Sequence, residues 1–339
     1  MNHGIIKTEK YHRTQGENVE QIKKPREWLP SIGPGENINE GLIKRLKKPR
    51  GMIDVVIDTD TYNEIDDQFA LAFLIKSDEK LCLKGIYAAP FYNQNSSSPE
   101  DGMEKSYNEI LKVLTLMKRD DLKSLVRRGS NRYLQEESEY VDSEAARSLA
   151  ELAIKYSPEK PLYVIGIAAI TNVASAILMQ PEIIDRIVVI WLGGNALHWT
   201  DNIEFNMSQD IAAARVIFGC GAALVQLPCM GVVSAFTTSG PELEHWLRGR
   251  NELCDYLIDV TTRAALSDSG IPAWTRVIWD VTAVGWLLDG DFMRDRLEHS
   301  PIPGYDHYYS FDPRRHLYRY VYFINRDSLF KELFDKLAK

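Results

Sequence analysis

The chain has 339 residues, with 48 acidic against 40 basic side chains and a formal net charge of −8. At 45% hydrophobic and 26% charged residues it has the composition of a globular protein with material for a sizeable core, and its acidic balance gives no footprint for DNA or RNA. Cys82, Cys220, Cys229 and Cys254 show no CxxC spacing or disulfide-scaffold density, and no run approaches the roughly 18 apolar residues of a membrane span. Reduced thiols, a cytoplasmic setting and no membrane partner are therefore expected.

Residues 1–52 are polar and rich in Lys, Arg, Pro and Gly, and read as an N-terminal extension with one short helix near residues 38–44. From residue 53 to 339 the texture becomes that of a single α/β domain: short β-branched runs alternate with segments of helical period. The strand runs are 53–58, 81–88, 162–168, 186–192, 222–228 and a late aromatic one at 316–324. Helices are expected over 66–76, 106–118, 143–156, 171–179, 210–218, 242–247, 252–266 and 280–288. The pattern predicts an open, mostly parallel sheet flanked by helices, with ligands beyond the carboxyl ends of the strands. The segment 299–320, rich in His and Tyr, reads as either a lid or a packed surface hairpin.

The first strand runs into DTDTYNEIDD, which places Asp58, Asp60, Glu64, Asp66 and Asp67 within ten residues. Carboxylates crowded at a strand end and a helix start invite a hard divalent cation, and Ca²⁺ accepts six to eight oxygen ligands. Two other readings compete. One is an acidic helix cap without metal. The other is the DxD opening of a Mg²⁺-dependent phosphohydrolase, against which Tyr62 stands where that motif has Thr or Val. Further along, Thr171-Asn172-Val173-Ala174, Pro181-Glu182-Ile183, Gly193-Gly194 and Glu204-Phe205-Asn206 occur in that order, followed by Trp279-Asp280 at a helix start. Asn172 reads as a helix-start and packing residue.

With these motifs in this order, the chain from about residue 53 to 290 resembles the nucleoside hydrolases, the Ca²⁺-dependent inosine–uridine and purine-preferring N-ribohydrolases. Here the acidic loop has two extra residues between DxD and DD. The resemblance implies hydrolysis of ribonucleosides to free base and ribose, nucleoside catabolism, and a homodimer or homotetramer. It implies Ca²⁺ held by Asp60, Asp67, the Ile167 carbonyl and Asp280, with Asp60 as general base toward a bound water. Asp66, Asn93, Glu204 and Asn206 are implied contacts to ribose, with Asn95 the alternative to Asn93, and Asp58 supports the loop from behind. Where the family carries another ribose-binding Asn this chain has His198, with Asn195 and Asn202 nearby. Trp279 stands where inosine–uridine members have a His, so base stacking and a purine preference are implied, with Phe91, Tyr92 or Trp199 as candidates for the opposite face. A riboside-binding protein that holds Ca²⁺ without turnover is the alternative from another class.

Overall fold

A strand covered on both faces has to be apolar nearly throughout, and the runs read from the sequence meet that condition in the computed structural model, which describes residues 39–339. Residues 1–38 of the expected extension lie outside the described residues. The strands are β1 (Ile53–Thr59), β2 (Leu81–Ala88), β3 (Val126–Arg128), β4 (Leu162–Gly166), β5 (Ile187–Leu192), β6 (Ala223–Leu227), β7 (Thr237–Ser239), β8 (Thr275–Val277), β9 (Met293–His299), β10 (Ile302–Pro303), β11 (Tyr309–Ser310) and β12 (Leu317–Ile324). Eight of them form one sheet in the order β3-β2-β1-β4-β5-β6-β12-β9. Every neighbouring pair in it is parallel except β12–β9.

Alternate residues of these strands feed two cores. Val55 and Ile57 of β1, and Val188, Ile190 and Leu192 of β5, point into one; Val56, and Ile187, Val189 and Trp191, point into the other. On the first face lie α1 (Glu40–Arg45), α2 (Asp67–Ile75), α3 (Pro99–Leu116), α8 (Gly240–Leu247), α9 (Glu252–Ser269), α10 (Val281–Leu287) and α11 (Arg326–Leu337). The second is covered by α4 (Glu144–Ala153), α5 (Thr171–Met179) and α7 (Ile211–Gly219), with the short α6 (Phe205–Gln209) preceding α7. Leu42 and Leu46 join the first core, so the chain from residue 39 onward is packed against the sheet.

The helix α3 begins earlier than its periodicity suggests, because Ser98 caps it through the Asp101 N–H and Pro99 takes the first turn. The segment 299–320 forms a hairpin, β10 pairing with β11, and the Gln226 amide donates to the Tyr309 hydroxyl at 2.9 Å. Among the described residues no helix is long and apolar enough to cross a membrane.

β1 lies between β2 and β4, so the winding of the chain reverses at β1. Loops leaving β1 and β4 in opposite senses open a crevice there, at the carboxyl ends of the strands.

Candidate active site

The turn after β1 is closed by the Asn63 N–H donating to the Asp60 carbonyl at 2.7 Å, and α2 then starts with Asp66 as its N-cap. α10 starts with Asp280 as N-cap, packs on α2, and directs the Asp280 N–H at Asp66 Oδ2, 3.3 Å away. One carboxylate oxygen from each of Asp66, Asp67 and Asp280 lies within 4.8 Å of the other two, and all three residues are buried. The Thr59 hydroxyl donates to Asp67 and shares a 2.9 Å contact with the Thr61 hydroxyl.

Burial, reinforced by the neighbouring carboxylates, pushes Asp60, Asp66 and Asp280 well above the ordinary carboxylate range. Burial likewise raises Asp67 to about 7, against the pull of the Thr59 hydroxyl. Asp60 Oδ2 is buried and has no hydrogen-bond partner among the described residues. An all-oxygen donor set, closely gathered and with an orphaned carboxylate oxygen beside it, fits a hard divalent cation.

These acids floor a cavity of about 230 Å³, whose wall includes Asp60, Asp66, Asp67, Ile167, Glu204, Asn206, Trp279 and Asp280. Ile167 follows β4 and is fixed by its N–H donating to the Asp58 carbonyl at 2.9 Å. Glu204 caps α6: its carboxylate accepts from the N–H groups of Asn206 and Met207, both at 2.9 Å, and of Gly194 at 2.7 Å. Gly194 has φ +72°, and a Cβ there would lie 2.3 Å from the Tyr309 hydroxyl, which accounts for the glycine at this step of the Gly193-Gly194 pair. The Asn206 amide donates to the Leu192 carbonyl at 3.0 Å. Burial raises the Glu204 carboxyl, opposed by those three backbone donors.

Asp58 sits behind the wall. It is fully buried, burial raises it to about 7, and Oδ1 accepts from the Asn172 amide at 2.7 Å. Asn172 does more than begin a helix: it also donates to the Ala88 carbonyl and accepts from the Ser130 N–H and hydroxyl, joining the ends of β1 and β2 to the loop after β3.

The other ribose candidates divide. Asn93 does not line the cavity; it donates to Asn63 Oδ1 at 2.5 Å, and Asn95 donates to the Asn63 carbonyl at 2.9 Å. It is Asn63, within the lengthened acidic loop, that reaches the wall together with Glu64. Of the residues around the missing Asn, Asn195 lines the cavity, Asn202 is buried and accepts from the Asn195 N–H at 2.7 Å, and His198 is exposed away from the wall. Phe91 is fully buried, and Tyr92 and Trp199 are exposed off the cavity, so none of the three faces Trp279 across it. Cys229 and Met230, which follow β6, line the cavity as well. Their position beyond a strand end is the one sequence signal that marks them.

Comparison with known proteins bears on the family and the fold. The model of the inosine-uridine preferring nucleoside hydrolase family matches residues 55–305. The pyrimidine-specific ribonucleoside hydrolase RihA of Salmonella enteritidis PT4 is 29% identical over 195 residues, 51% of this chain and 59% of the relative, so the match spans less than two thirds of that relative's length. Among solved structures, a plant nucleoside hydrolase superposes with a TM-score of 0.66 at 18% identity, covering 86% of this chain and 99% of its own. The purine-preferring ribonucleoside hydrolase from Gardnerella vaginalis gives 0.66 at 18% identity, covering 84% and 98%. These superpositions show a shared fold, and the family match extends over most of the chain. The protein belongs to the inosine-uridine preferring nucleoside hydrolase family.

Proposed function

We propose that the protein hydrolyses the N-glycosidic bond of ribonucleosides, purine ribonucleosides in preference, releasing free base and ribose. The observation that carries this reading is the convergence of buried Asp66, Asp67 and Asp280 beside the orphaned Asp60 Oδ2, on a cavity that Trp279 also lines.

Asp60, Asp67, the Ile167 carbonyl and Asp280 would hold Ca²⁺, which when bound supplies a polarised water and fixed positions for sugar hydroxyls. Asp60 accepts the proton of the attacking water as positive charge develops on the ribosyl carbon. Asp66 binds the ribose diol. Glu204 and Asn206 grip the remaining hydroxyls; Glu204 Oε2 already accepts from the Gly194 and Met207 N–H groups, whereas Oε1, which accepts from the Asn206 N–H, keeps a second lone pair for an additional donor. Trp279 stacks on the base, which favours purines because their N7 becomes cationic on protonation. A 2′-deoxyriboside leaves buried polar partners unsatisfied and is a poor substrate.

The test is free-base release from inosine, adenosine, guanosine, uridine and cytidine, each with Ca²⁺ and with a chelator. Calcium-dependent release, strongest for purines, is expected. Tight riboside binding with no release from any substrate would instead identify a silent riboside-binding protein.

A further inference from the structure

The lengthened loop after β1 sets the amide of Asn63 on the cavity wall, in a residue only 8% exposed. The Asn63 N–H closes the turn onto the Asp60 carbonyl at 2.7 Å. From behind, the loop after β2 holds Asn63 at two further points. Asn95 donates its side-chain amide to the Asn63 carbonyl at 2.9 Å, and Asn93 donates its own to Asn63 Oδ1 at 2.5 Å. That loop is itself tied down: the Asn93 N–H donates to the Ser96 hydroxyl at 3.3 Å, and Lys105 Nζ donates to the Asn95 carbonyl at 2.8 Å.

These contacts decide which end of the Asn63 amide is spent. The Asn95 N–H, a group that can only donate, gives its proton to Asn93 Oδ1 at 2.8 Å. Asn93 is therefore left with its Nδ2 hydrogens to offer, and the atom that receives them has to be the Asn63 oxygen. Asn63 Nδ2 is the end that remains, and it has no acceptor among the described residues. A donor held on a cavity wall with its oxygen already satisfied is set to meet an acceptor that the ligand brings.

We infer that Asn63 is a ribose-binding residue whose Nδ2 donates to an oxygen of the 2′,3′-diol, with Asn93 and Asn95 as positioning residues behind it, an inference that rests on the riboside occupant of the hydrolase reading above. A hydroxyl carries one proton and two lone pairs, so a bound diol calls for donors as well as acceptors. The carboxyls around it supply acceptors, and Asn63 supplies an N–H. Its place in the turn between Asp60 and Asp66 puts that donor on the side of the cavity where the diol is held. Glu204 and Asn206 belong to the loop after β5, and one hydrogen of the Asn206 amide is given to the Leu192 carbonyl. Asn93, for which the family resemblance implies a ribose contact, stands behind Asn63 and off the wall. It bears on the sugar through the orientation it imposes on the Asn63 amide.

The test is a cycle between protein and substrate. For the Ca²⁺-loaded wild type and Asn63→Ala, kcat/KM is measured with inosine and with its 2′-deoxy, 3′-deoxy and 5′-deoxy forms. Dissociation constants of ribose, 2-deoxyribose, 3-deoxyribose and 5-deoxyribose, which have no base to lose, give a readout apart from turnover. Asn63→Ala is expected to cost about tenfold with inosine, the scale of one hydrogen bond lost in a buried site, and as much with 5′-deoxyinosine. With the 2′- or the 3′-deoxy form, whichever lacks the accepting oxygen, the substitution should cost little. Asn63→Asp keeps an oxygen for Asn93 and removes the donor, so it should show at least the same loss with inosine, circular dichroism confirming that both variants fold. Asn93→Ala should cost less, and the double variant Asn63→Ala/Asn93→Ala should match Asn63→Ala alone, because Asn93 acts through Asn63. An equal loss with all four ribosides would overturn the inference and leave the hydrolase reading standing. So would additive effects of the two alanine substitutions, which would put Asn93 on the sugar itself. If the sugars bind and no base is released, the hydrolase reading falls alone, and the same pattern in the sugar constants decides for or against Asn63. Neither release nor sugar binding by the loaded wild type would remove both.

Discussion

Asn172 holds three pieces of backbone at one point: the carboxylate of Asp58, the carbonyl of Ala88 and the Ser130 loop all end on its amide. Gly129 has no room for a side chain beside it, since a Cβ there would lie 2.0 Å from the Ala88 carbonyl oxygen and 2.4 Å from the Asn172 amide nitrogen. Gly129→Ala should therefore lower Tm, and Asn172→Ala, which leaves Asp58 buried without its donor, should cost about 1–3 kcal/mol in denaturant melts. A cost near zero would mean that this junction is not what positions β1. Asp60 is a different kind of residue, one whose buried oxygen has no partner among the described residues. Asp60→Asn keeps its shape and removes its basicity, so kcat for base release at saturating Ca²⁺ should fall by about 10²- to 10⁴-fold. Near-wild-type turnover would dismiss it as the general base.

Helix α2 is buried along its whole length, all nine of its residues lying in the interior. It therefore has no polar face to mark it as amphipathic; its legible signal is an apolar run of helical length after an acidic turn. Because Asp67 opens this helix, packing and the proposed cation binding share one element. Leu74→Ala should cost about 2–5 kcal/mol as a core truncation, and isothermal titration should show weaker Ca²⁺ binding although every carboxylate is intact. Unchanged affinity alongside a lowered Tm would mean that the cation site tolerates movement of α2. Two other elements show what local pattern does and does not carry. The apolar spacing of α11, with Leu329, Phe330, Leu333, Phe334 and Leu337 buried, is visible in the residues, although the elements read from the sequence end at 324. β9, with Arg294, Asp295, Arg296 and Glu298, has no such pattern, because an edge strand needs a core contact on one face only and uses charge on the other.

At the scale of the whole molecule, burial, with the Arg315 guanidinium nearby, pushes the His316 imidazole down from 6.5 to about 4. Between those values the unfolded chain binds a proton that the folded chain refuses. Stability is therefore fully present above pH 6.5 and falls as the pH drops toward 4, with a slope approaching about 1.4 kcal/mol per pH unit. Thermal melts at pH 5 and pH 7 should show a gap that His316→Gln narrows. An equal gap in the variant would assign acid sensitivity to other groups.

What the sequence by itself determined is local. The alternation of strand runs and helices, the doubly covered parallel sheet and the ordered motifs from the acidic loop to Trp279-Asp280 are all readable because each depends on residues within about one element of each other. Tertiary structure alone decided which side chains meet. Asp280 reaches Asp66 across 214 residues of chain, Asn93 ends behind Asn63 instead of on the cavity wall, and the lengthened loop brings Asn63 and Glu64 to that wall. The reason is geometric. Sheet order sets which loops share the crevice at β1 and β4, and a shift of one residue in a loop, too small to register in any local pattern, decides whether a side chain faces the ligand or supports the residue that does.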